Sequence, residues 1–370
     1  SCHQLSVIEN SMGYSEAGWR ALMSAMIELD PATESELVAY LAQVYPPGHN
    51  PRPAALVEGP LSISWQSWTA PQLGQRPRDP VAAPNGDIWY VGQQGNTIGR
   101  IIPDTGAIQE WPLPAGALPH SVNVDAQGRV WYMGNGNGTI GLFDPTTGEA
   151  REYRMAYAGA QDPHTAEFDQ NGIMWFTLQR SNMIGRFDPT TGAIRLASVA
   201  REGARPYGLK IAADGTPWVA CNGSNCLIRV NPRTMTLTEI DLPGERTHVR
   251  RLDIASDGSI WYVNSGMGRL GRYDPRSGAI REWDSPSGPD SHPYAIAVID
   301  DIVWYKDSGV RPDALVRFDP RTETFQSWAI PSGDHFGGIV RHMRPDQQGR
   351  LLLHQGSSNS IIRATLPPAG

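Results

Sequence analysis

Side chains that can bind anions and move protons recur at one position of a sequence repeat of about 43 residues. The position lies eleven residues before a tryptophan in five repeat units, ten before Trp304 in the sixth, and eleven before Leu352 in the seventh. Its occupants are Arg78, His120, His164, Tyr207, Arg250, Tyr294 and Arg341. Histidine acts as a general base near neutral pH, and arginine offers paired N–H donors to carboxylate or phosphate. We therefore expect a small anionic or ester-containing ligand here.

Two interpretations of this repeated position are open. In the first, its side chains meet around a shared axis and form a cationic funnel. The residues that would bind substrate there are Arg78, Arg250, Tyr294 and Arg341. The histidines in the preceding connections, which would line the same mouth, are His248, His292 and His335. In the second interpretation, the repeated residues lie at the rim of the fold and only hydrogen-bond neighbouring loops.

The repeat also predicts the elements that position these residues. Its tryptophans are spaced by 42, 44, 43, 43 and 43 residues, and they are Trp89, Trp131, Trp175, Trp218, Trp261 and Trp304. A motif such as Ile-Gly-Arg-Phe (184–187) and a turn such as Asp-Pro-Thr-Thr-Gly (188–192) follow most of them. Proline and glycine set the backbone angles of such hairpin turns. Four short strands per unit make one blade of a β-propeller.

The seventh unit lacks its fourth strand, and a segment before the first unit can supply it. Gln66-Ser67-Trp68 matches Gln326-Ser327-Trp328, the outer strand of unit six. Residues 61–69 are therefore expected to complete blade seven and to hide the open sheet edges. The prediction is an all-β, seven-bladed propeller over residues 61–370, with the repeated tryptophans packed between blades.

Residues 1–45 are predicted to form a small helical segment, joined to the propeller by a proline-rich linker at 46–60. Ser15 can cap a first helix, whose apolar positions are Trp19, Leu22, Met23 and Met26. Thr33 and Glu36 form a capping box for a second helix that ends before Pro46-Pro47. Its apolar positions are Leu37, Val38, Leu41 and Val44. About 45 residues are too few for an independent core without a staple.

The chain starts with Ser1-Cys2-His3, for which two interpretations are open. If a cysteine precedes it, the tripeptide completes a Cys-x-x-Cys-His motif for haem c, with Cys2 attached to the porphyrin and His3 bound to the haem iron. Met26 would be the other axial ligand. With Gly-Trp-Arg-Ala-Leu-Met (18–23), the segment resembles short c-type cytochrome domains. Otherwise Cys-His is a chance dipeptide, and the methionine belongs to the helix core.

The other two cysteines, Cys221 and Cys226, flank a short loop after Trp218. They form either a disulfide that closes one hairpin or two reduced thiols, and the sequence leaves both open. A disulfide and an attached haem would each indicate a periplasmic or secreted protein.

Charge and composition argue against several classes of protein. The 370 residues carry a net charge of −7, so the basic surface of a nucleic-acid-binding protein is missing. Of the 31 basic residues only Lys210 and Lys306 are lysines, and the other 29 are arginines. No apolar run reaches the roughly 18 residues that a transmembrane helix needs.

The blade sequence resembles the virginiamycin B lyase family over residues 61–370. The resemblance is carried by Pro119-His120, Pro163-His164 and Pro206-Tyr207 in consecutive blades, and by repeated Ile-Gly-Arg motifs and Glu-Trp-Pro-Leu-Pro (110–114). It implies a seven-bladed propeller that opens a macrocyclic lactone by elimination. A histidine removes the proton α to the carbonyl while Mg²⁺ polarises it, so His120, His164 and Tyr207 become the catalytic candidates.

One residue departs from the family pattern. Gln179 stands where the family has a glutamate that helps to hold Mg²⁺. The equivalent residues of the other blades, none of them acidic, are Gln93, Asn135, Asn222, Ser265, Ser308 and Gly356. Mg²⁺ prefers charged oxygen ligands, so this departure weakens the expectation of a metal. Arg78 and Arg250 are candidates to stabilise an enolate in its place.

Two functional hypotheses follow. The first is a carbon–oxygen lyase for an ester or lactone, with His120 or His164 as general base and Tyr207 and arginines orienting the carbonyl. The second is a non-catalytic periplasmic binding or docking propeller, fused to a haem c segment that passes electrons to a redox partner. The paired histidines favour the first hypothesis, and the missing glutamate favours the second. A metal-dependent lactonase is a weaker reading, because it too needs carboxylates in the funnel.

Overall fold

The computed structural model describes residues 8, 9, 11–49, 52–155, 159–244, 248–332 and 340–367. Within these residues, 28 strands form seven four-stranded antiparallel sheets, preceded by helices α1 (Glu16–Ser24) and α2 (Pro31–Val44). The innermost strands of successive sheets lie side by side until the last meets the first, so the sheets form a closed ring. The predicted seven-bladed propeller is confirmed.

Each blade is a meander that runs from the channel outward. The chain enters through β1 (Ser64–Thr69). Blade one holds β2 (Pro77–Ala82), β3 (Ile88–Gly92), β4 (Thr97–Ile102) and β5 (Ala107–Pro112). Blade two holds β6 (Val122–Val124), β7 (Val130–Gly134), β8 (Thr139–Asp144) and β9 (Glu149–Arg154). Blade three holds β10 (Pro163–Phe168), β11 (Met174–Leu178), β12 (Met183–Asp188) and β13 (Ala193–Ser198).

The remaining blades repeat this order. Blade four holds β14 (Pro206–Ile211), β15 (Pro217–Cys221), β16 (Cys226–Val230) and β17 (Leu237–Asp241). Blade five holds β18 (Val249–Ile254), β19 (Ile260–Asn264), β20 (Arg269–Tyr273) and β21 (Ile280–Asp284). Blade six holds β22 (Pro293–Ile299), β23 (Ile302–Asp307), β24 (Ala314–Asp319) and β25 (Thr324–Ala329). Blade seven holds β26 (Arg344–Pro345), β27 (Leu351–Gln355), β28 (Ser360–Thr365) and β1.

The ring closes as the sequence predicts. Strand β1 pairs antiparallel with β28, and Trp68 lies opposite Ile361. Trp68 is buried, and it packs in the same cluster as Leu352, which replaces the marker tryptophan in blade seven. Closure therefore covers the outer edge of β28 with a strand from the other end of the propeller, which removes an exposed pairing edge.

The marker tryptophans pack between blades, as expected. Trp131 of blade two is fully buried, and its ring lies 5.6 Å from that of Phe187 in blade three. Its indole N–H donates to the Asp125 carboxylate at 2.9 Å, so the one polar atom of the ring is satisfied. Trp261 makes the equivalent contact with Phe318, at 5.8 Å. These rings hold neighbouring sheets together and take no part in the channel.

A β-bulge in the innermost strands changes which side chains reach the channel. In β10, the register shifts between Pro163 and Ala166, so one extra residue stands opposite β11. The same shift occurs in β2, β14, β18 and β22. A bulge interrupts the alternation of side chains between the two faces of a strand. Two consecutive residues, His164 and Thr165, are therefore both placed among the groups around the channel.

Ion pairs link the blades three residues further along the innermost strands. Lys210 lies 3.7 Å from Glu167 and 4.0 Å from Asp253. Arg344 of blade seven lies 3.7 Å from Glu167 of blade three, on another side of the ring. These ion pairs form a second layer of charged residues along the innermost strands, three residues beyond the repeated position.

The helical segment has a small core of its own. Ser15 caps α1 by accepting a hydrogen bond from the Gly18 N–H, as predicted. Trp19 and Met23 of this helix pack against Val38 and Leu41 of α2. The contacts join the two helices into one unit whose apolar interior consists of a few side chains.

The predicted capping box of the second helix is wrong. Asp30, not Thr33, is the cap of α2, and its carboxylate accepts from the Ala32 and Thr33 N–H groups. Aspartate is a strong N-cap, and Pro31 at the first helical position presets the backbone angle, so the helix begins three residues earlier. Two of its expected core positions, Leu37 and Val44, are exposed.

The segment before the propeller lies against blades one and six. The Gly74 N–H donates to the Ala25 carbonyl at 3.0 Å, and the Arg311 N–H donates to the Arg52 carbonyl at 2.7 Å. The Val57 N–H donates to the Ser327 hydroxyl at 2.8 Å. No helix in the described part of the chain is long and apolar enough to cross a membrane.

The structure describes two of the three cysteines. Cys221 and Cys226 form a disulfide across the β15–β16 hairpin, with their Cα atoms 5.3 Å apart. Cys2 and His3 lie outside the described residues, so haem attachment stays a prediction. Met23 is buried, and Met26 is half-buried just after α1.

Candidate functional site

A cavity of about 660 Å³ lies at one mouth of the channel, and all seven occupants of the repeated position line it. They are Arg78, His120, His164, Tyr207, Arg250, Tyr294 and Arg341. His292 also lines the cavity. His248 is exposed and is not among the lining residues, and His335 lies outside the described residues. The interpretation as a shared funnel is therefore the one that the geometry supports.

Four aromatic rings form a row along the cavity wall. The ring centroids of His120 and His164 are 3.4 Å apart, and those of His164 and Tyr207 are 4.0 Å apart. The Tyr207 and Tyr294 hydroxyls are hydrogen-bonded to each other. His164, Tyr207 and Tyr294 belong to β10, β14 and β22, whereas His120 lies two residues before β6. Ring closure thus brings side chains from four blades into one contact series.

Both histidines of the row are held in the neutral form. Burial lowers the pKa of His120 well below its usual value, and the nearby Arg78 lowers it further. Burial, with Arg251 and Arg78, does the same to the pKa of His164. A neutral imidazole has a lone pair that accepts a proton, so each ring is in the state that a general base requires.

Asp79 is a functional candidate that the sequence reasoning missed. Its buried carboxylate lies 3.3 Å from His342 Nδ1, 3.9 Å from His120 Nδ1 and 3.7 Å from Arg251 Nη2. Burial alone would raise the pKa of Asp79, but His342, His120 and Arg251 hold it well below the usual value. The group is therefore an anion beneath the aromatic row.

The signal for Asp79 was present in the repeat. It directly follows Arg78, and the same position in other units holds Ser121, Thr165, Arg251 and His342. Alternation in a regular strand would send the residues next to the repeated position to the opposite face, so the spacing alone does not point to them. The bulge in the innermost strands removes that alternation.

Thr165 and Arg251 orient His164. Arg251 Nη1 donates to Thr165 Oγ1 at 2.9 Å, and Arg251 Nε donates to the Arg341 carbonyl at 2.9 Å. Thr165 Oγ1 lies 3.1 Å from His164 Nδ1. The Thr165 hydroxyl that contacts His164 is thus held by Arg251, and Arg251 is itself fixed by its second hydrogen bond to the Arg341 carbonyl.

The cavity is strongly cationic. Seven arginines line it, and they are Arg52, Arg76, Arg78, Arg180, Arg250, Arg311 and Arg341. Asp162 is the single acidic residue among the lining residues described. Burial and repulsion from Arg341 and Arg78 lower the pKa of Arg76 to about 9. Four of these arginines lie outside the repeated position, so the sequence reasoning did not find them.

The pKa values of the two tyrosines in the row shift in opposite directions. Burial, with the neighbouring Tyr294, raises the pKa of Tyr207. Burial alone would raise the pKa of Tyr294 as well, but Arg341 and Arg250 lower it. The Arg250 guanidinium lies over the Tyr294 ring, 4.6 Å from its centroid. The cations therefore favour negative charge at one end of the row.

The side chains at the family's metal position do not suit a divalent cation. Gln179, Gln93 and Asn135 line the cavity there, and they offer neutral amides. The Asp162 carboxylate already accepts from Asn135 Nδ2 and from the Arg180 N–H. No group of three or more His, Cys, Asp or Glu suited to a metal occurs among the described residues. The surrounding arginines also repel a cation, so Mg²⁺ does not fit this donor set.

Comparison with known proteins gives the same fold. The model of the virginiamycin B lyase family matches residues 61–311. Virginiamycin B lyase from Staphylococcus aureus superposes with a TM-score of 0.74 at 23% identity, covering 83% of this chain and 100% of its own. A catalytically inactive histidine-to-alanine variant of that lyase, crystallised with Quinupristin, gives the same values.

A more distant propeller also matches. Hydrazine synthase from Kuenenia stuttgartiensis has a TM-score of 0.64 at 13% identity, covering 80% of this chain and 96% of its own. No curated protein matches the sequence. The structural likenesses, at these identities, establish the fold, whereas the family model matches most of the propeller sequence. The chain therefore belongs to the virginiamycin B lyase family.

Proposed function

We propose that the protein is a carbon–oxygen lyase that opens an ester or lactone by elimination, with His120 as the general base. The observation that carries this proposal is the contact between two buried, neutral histidines, His120 and His164, in a cavity lined by arginines. Asp79 favours His120 over His164, because a carboxylate near Nδ1 stabilises the tautomer with the proton there. That tautomer leaves the lone pair on Nε2.

The proposed step needs no co-reactant. Nε2 of His120 takes a proton from a carbon next to a carbonyl, and the electrons of that C–H bond form an enolate. A C=C bond then forms as the C–O bond on the neighbouring carbon breaks, and the carboxylate of the ester leaves. Arg78 and Arg250 stabilise the enolate oxygen in the place of a metal. Fixed donors of this kind contribute on the order of 100-fold or more in rate.

The test is incubation with a cyclic depsipeptide such as Quinupristin, followed by mass spectrometry. Elimination opens the ring without a change in mass and creates a C=C bond, whereas hydrolysis adds one water. We expect a ring-opened product of unchanged mass, formed equally with and without a chelator. We expect His120→Ala to lower the rate by roughly 100-fold or more.

His248→Ala is the matched control, because this histidine is exposed and does not line the cavity. Equal rates for wild type, His120→Ala and His164→Ala would end the assignment. A product heavier by one water would replace the lyase with a hydrolase.

We also propose that the helical segment carries haem c on Cys2 and His3 and that the protein is extracytoplasmic. The disulfide between Cys221 and Cys226 supports that location. Met23 packs in the core with Trp19, so Met26 stays the better candidate for the second axial position. An absorption spectrum of the purified protein tests the proposal: a Soret band is expected, and a colourless protein expressed with haem c maturation would reject it.

A further inference from the structure

We propose that the cavity binds an extended, hydrophilic ligand with at least two carboxylate groups, held at two cationic sites that share one opening. Acidic oligosaccharides serve as probes of this chemistry. The inference concerns binding at the cavity and goes beyond the proposed reaction. Binding itself is measured without turnover, so the two can fail separately.

The first cationic site is the funnel. Arg76, Arg78 and Arg250 make no ion pair with any carboxylate in the described part of the chain. Arg78 is buried, its Nη1 donates to the Gln93 side-chain carbonyl, and its Nε has no partner within the described structure. A buried guanidinium with an unused donor is costly unless a ligand accepts from it. One carboxylate, bound by paired N–H groups, meets that need.

The second cationic site is a groove of about 690 Å³ beside the funnel. The residues that line both spaces are Arg76, Gln93, Asn135, Asp162 and Arg180. Beyond this shared border the groove adds Arg154, which is exposed at the end of β9 and makes no ion pair with a described residue. A ligand that leaves the funnel over blade two therefore passes Arg76 and Arg180 and meets one further arginine, Arg154.

The side chains that line the groove also indicate the polarity of the ligand between its carboxylates. Amides from Gln93, Gln94, Asn135 and Asn137 face the groove, whereas Leu118 and Met155 are the larger apolar side chains there. Such a surface suits a ligand rich in hydroxyl or carbonyl oxygens rather than an apolar one. Two anchored carboxylates on one chain bind more tightly than one, because the second binding event is intramolecular.

Calorimetric titration of the full chain with three probes tests the inference. The probes are galacturonic acid, trigalacturonic acid and the neutral maltotriose. We expect the acidic trimer to bind roughly tenfold or more tightly than the monomer, and the neutral trimer not to bind. Added salt should weaken binding of the acidic trimer, because its contacts with the protein are ionic.

Two variants locate the sites. Arg154→Gln should lower the affinity for the acidic trimer by about tenfold and leave the affinity for the monomer unchanged. Arg250→Gln should lower the affinity for both. Arg233→Gln is the matched control, since it removes the same charge from an exposed turn between β16 and β17. Thermal unfolding confirms that each variant is folded.

Three results would overturn the inference: a trimer no tighter than the monomer, equal binding of the neutral trimer, or equal effects of Arg154→Gln and Arg233→Gln. Trimer binding without depsipeptide cleavage would reject the proposed reaction and keep this inference. Depsipeptide cleavage without trimer binding would do the reverse.

Discussion

Asp79 places a carboxylate among the buried histidines of the site. It is the anion nearest to His120, and it also contacts His342 and Arg251. Its φ of +47° places it in the left-handed region, which is strained for a residue with a side chain. The strain is consistent with a carboxylate held at one required point by the surrounding fold.

Asp79→Asn tests a positioning role for this carboxylate. The anion raises the pKa of His120 against the stronger effects of burial and Arg78. Its removal lowers that pKa further, so the acidic limb of the rate profile should move to lower pH. The rate at neutral pH should fall by roughly 10- to 100-fold, because the base is weaker and its tautomer is no longer fixed. The measurement is kcat/KM against pH.

Asp253→Asn provides the comparison for that experiment. Asp253 is a partly buried carboxylate on β18 that lies near Lys210 and accepts from the Val298 N–H. A change there perturbs the channel, but it removes none of the contacts described above to a histidine of the row. If both variants moved the acidic limb alike, Asp79 would have only a structural role.

At the scale of the elements, the blades were predictable because their signal is repeated. A turn such as Asp144-Pro-Thr-Thr-Gly148 recurs, and its chemistry is local: the Gly148 N–H donates to the Asp144 carbonyl at 2.8 Å. Glycine at φ +74° there meets a backbone requirement that other residues fit poorly. Repetition also predicted the closing strand β1, because Gln66-Ser67-Trp68 matches Gln326-Ser327-Trp328 of blade six.

The features that the sequence did not predict either leave the repeat spacing unchanged or depend on contacts between distant segments. The bulge leaves spacing to the next tryptophan unchanged, yet it brings Thr165 and Arg251 to the channel. Arg52 and Arg311 come together through backbone pairing between the linker and blade six, which no local pattern records. The cap of α2 was misplaced because two overlapping signals, Asp30-Pro31 and Thr33-Glu36, competed over three residues.

At the scale of the whole molecule, ring closure buries several histidines from different blades around one axis. The pKa values of His120, His164, His342 and His354 all lie well below the usual histidine value, and burial is the main cause in each. His354 also accepts from the Asp79 N–H, at 3.3 Å from Nδ1. A protonated imidazole has no acceptor, so protonation would break that bond.

The histidine cluster predicts that acid destabilises the fold from about pH 6.5 downward. In the unfolded chain these histidines titrate near 6.5, whereas in the folded chain they stay neutral to much lower pH. Below pH 6.5 unfolding therefore takes up protons, and stability falls with pH by as much as about 1.4 kcal/mol per pH unit for each histidine. Asp79 adds its own loss only below its unfolded value of 3.8, which lies outside the range from pH 7 to 5. Urea unfolding between pH 7 and 5 measures how steeply the free energy of unfolding falls with pH.

His342→Gln should make this slope shallower, and His248→Gln, at an exposed site, should leave it unchanged. Asp307, whose pKa burial raises to about 7, takes up a proton in the folded protein over the same range and offsets the loss from one histidine. If His342→Gln and the wild type had equal slopes, His342 would already be charged in the folded protein, which would argue against a neutral histidine cluster.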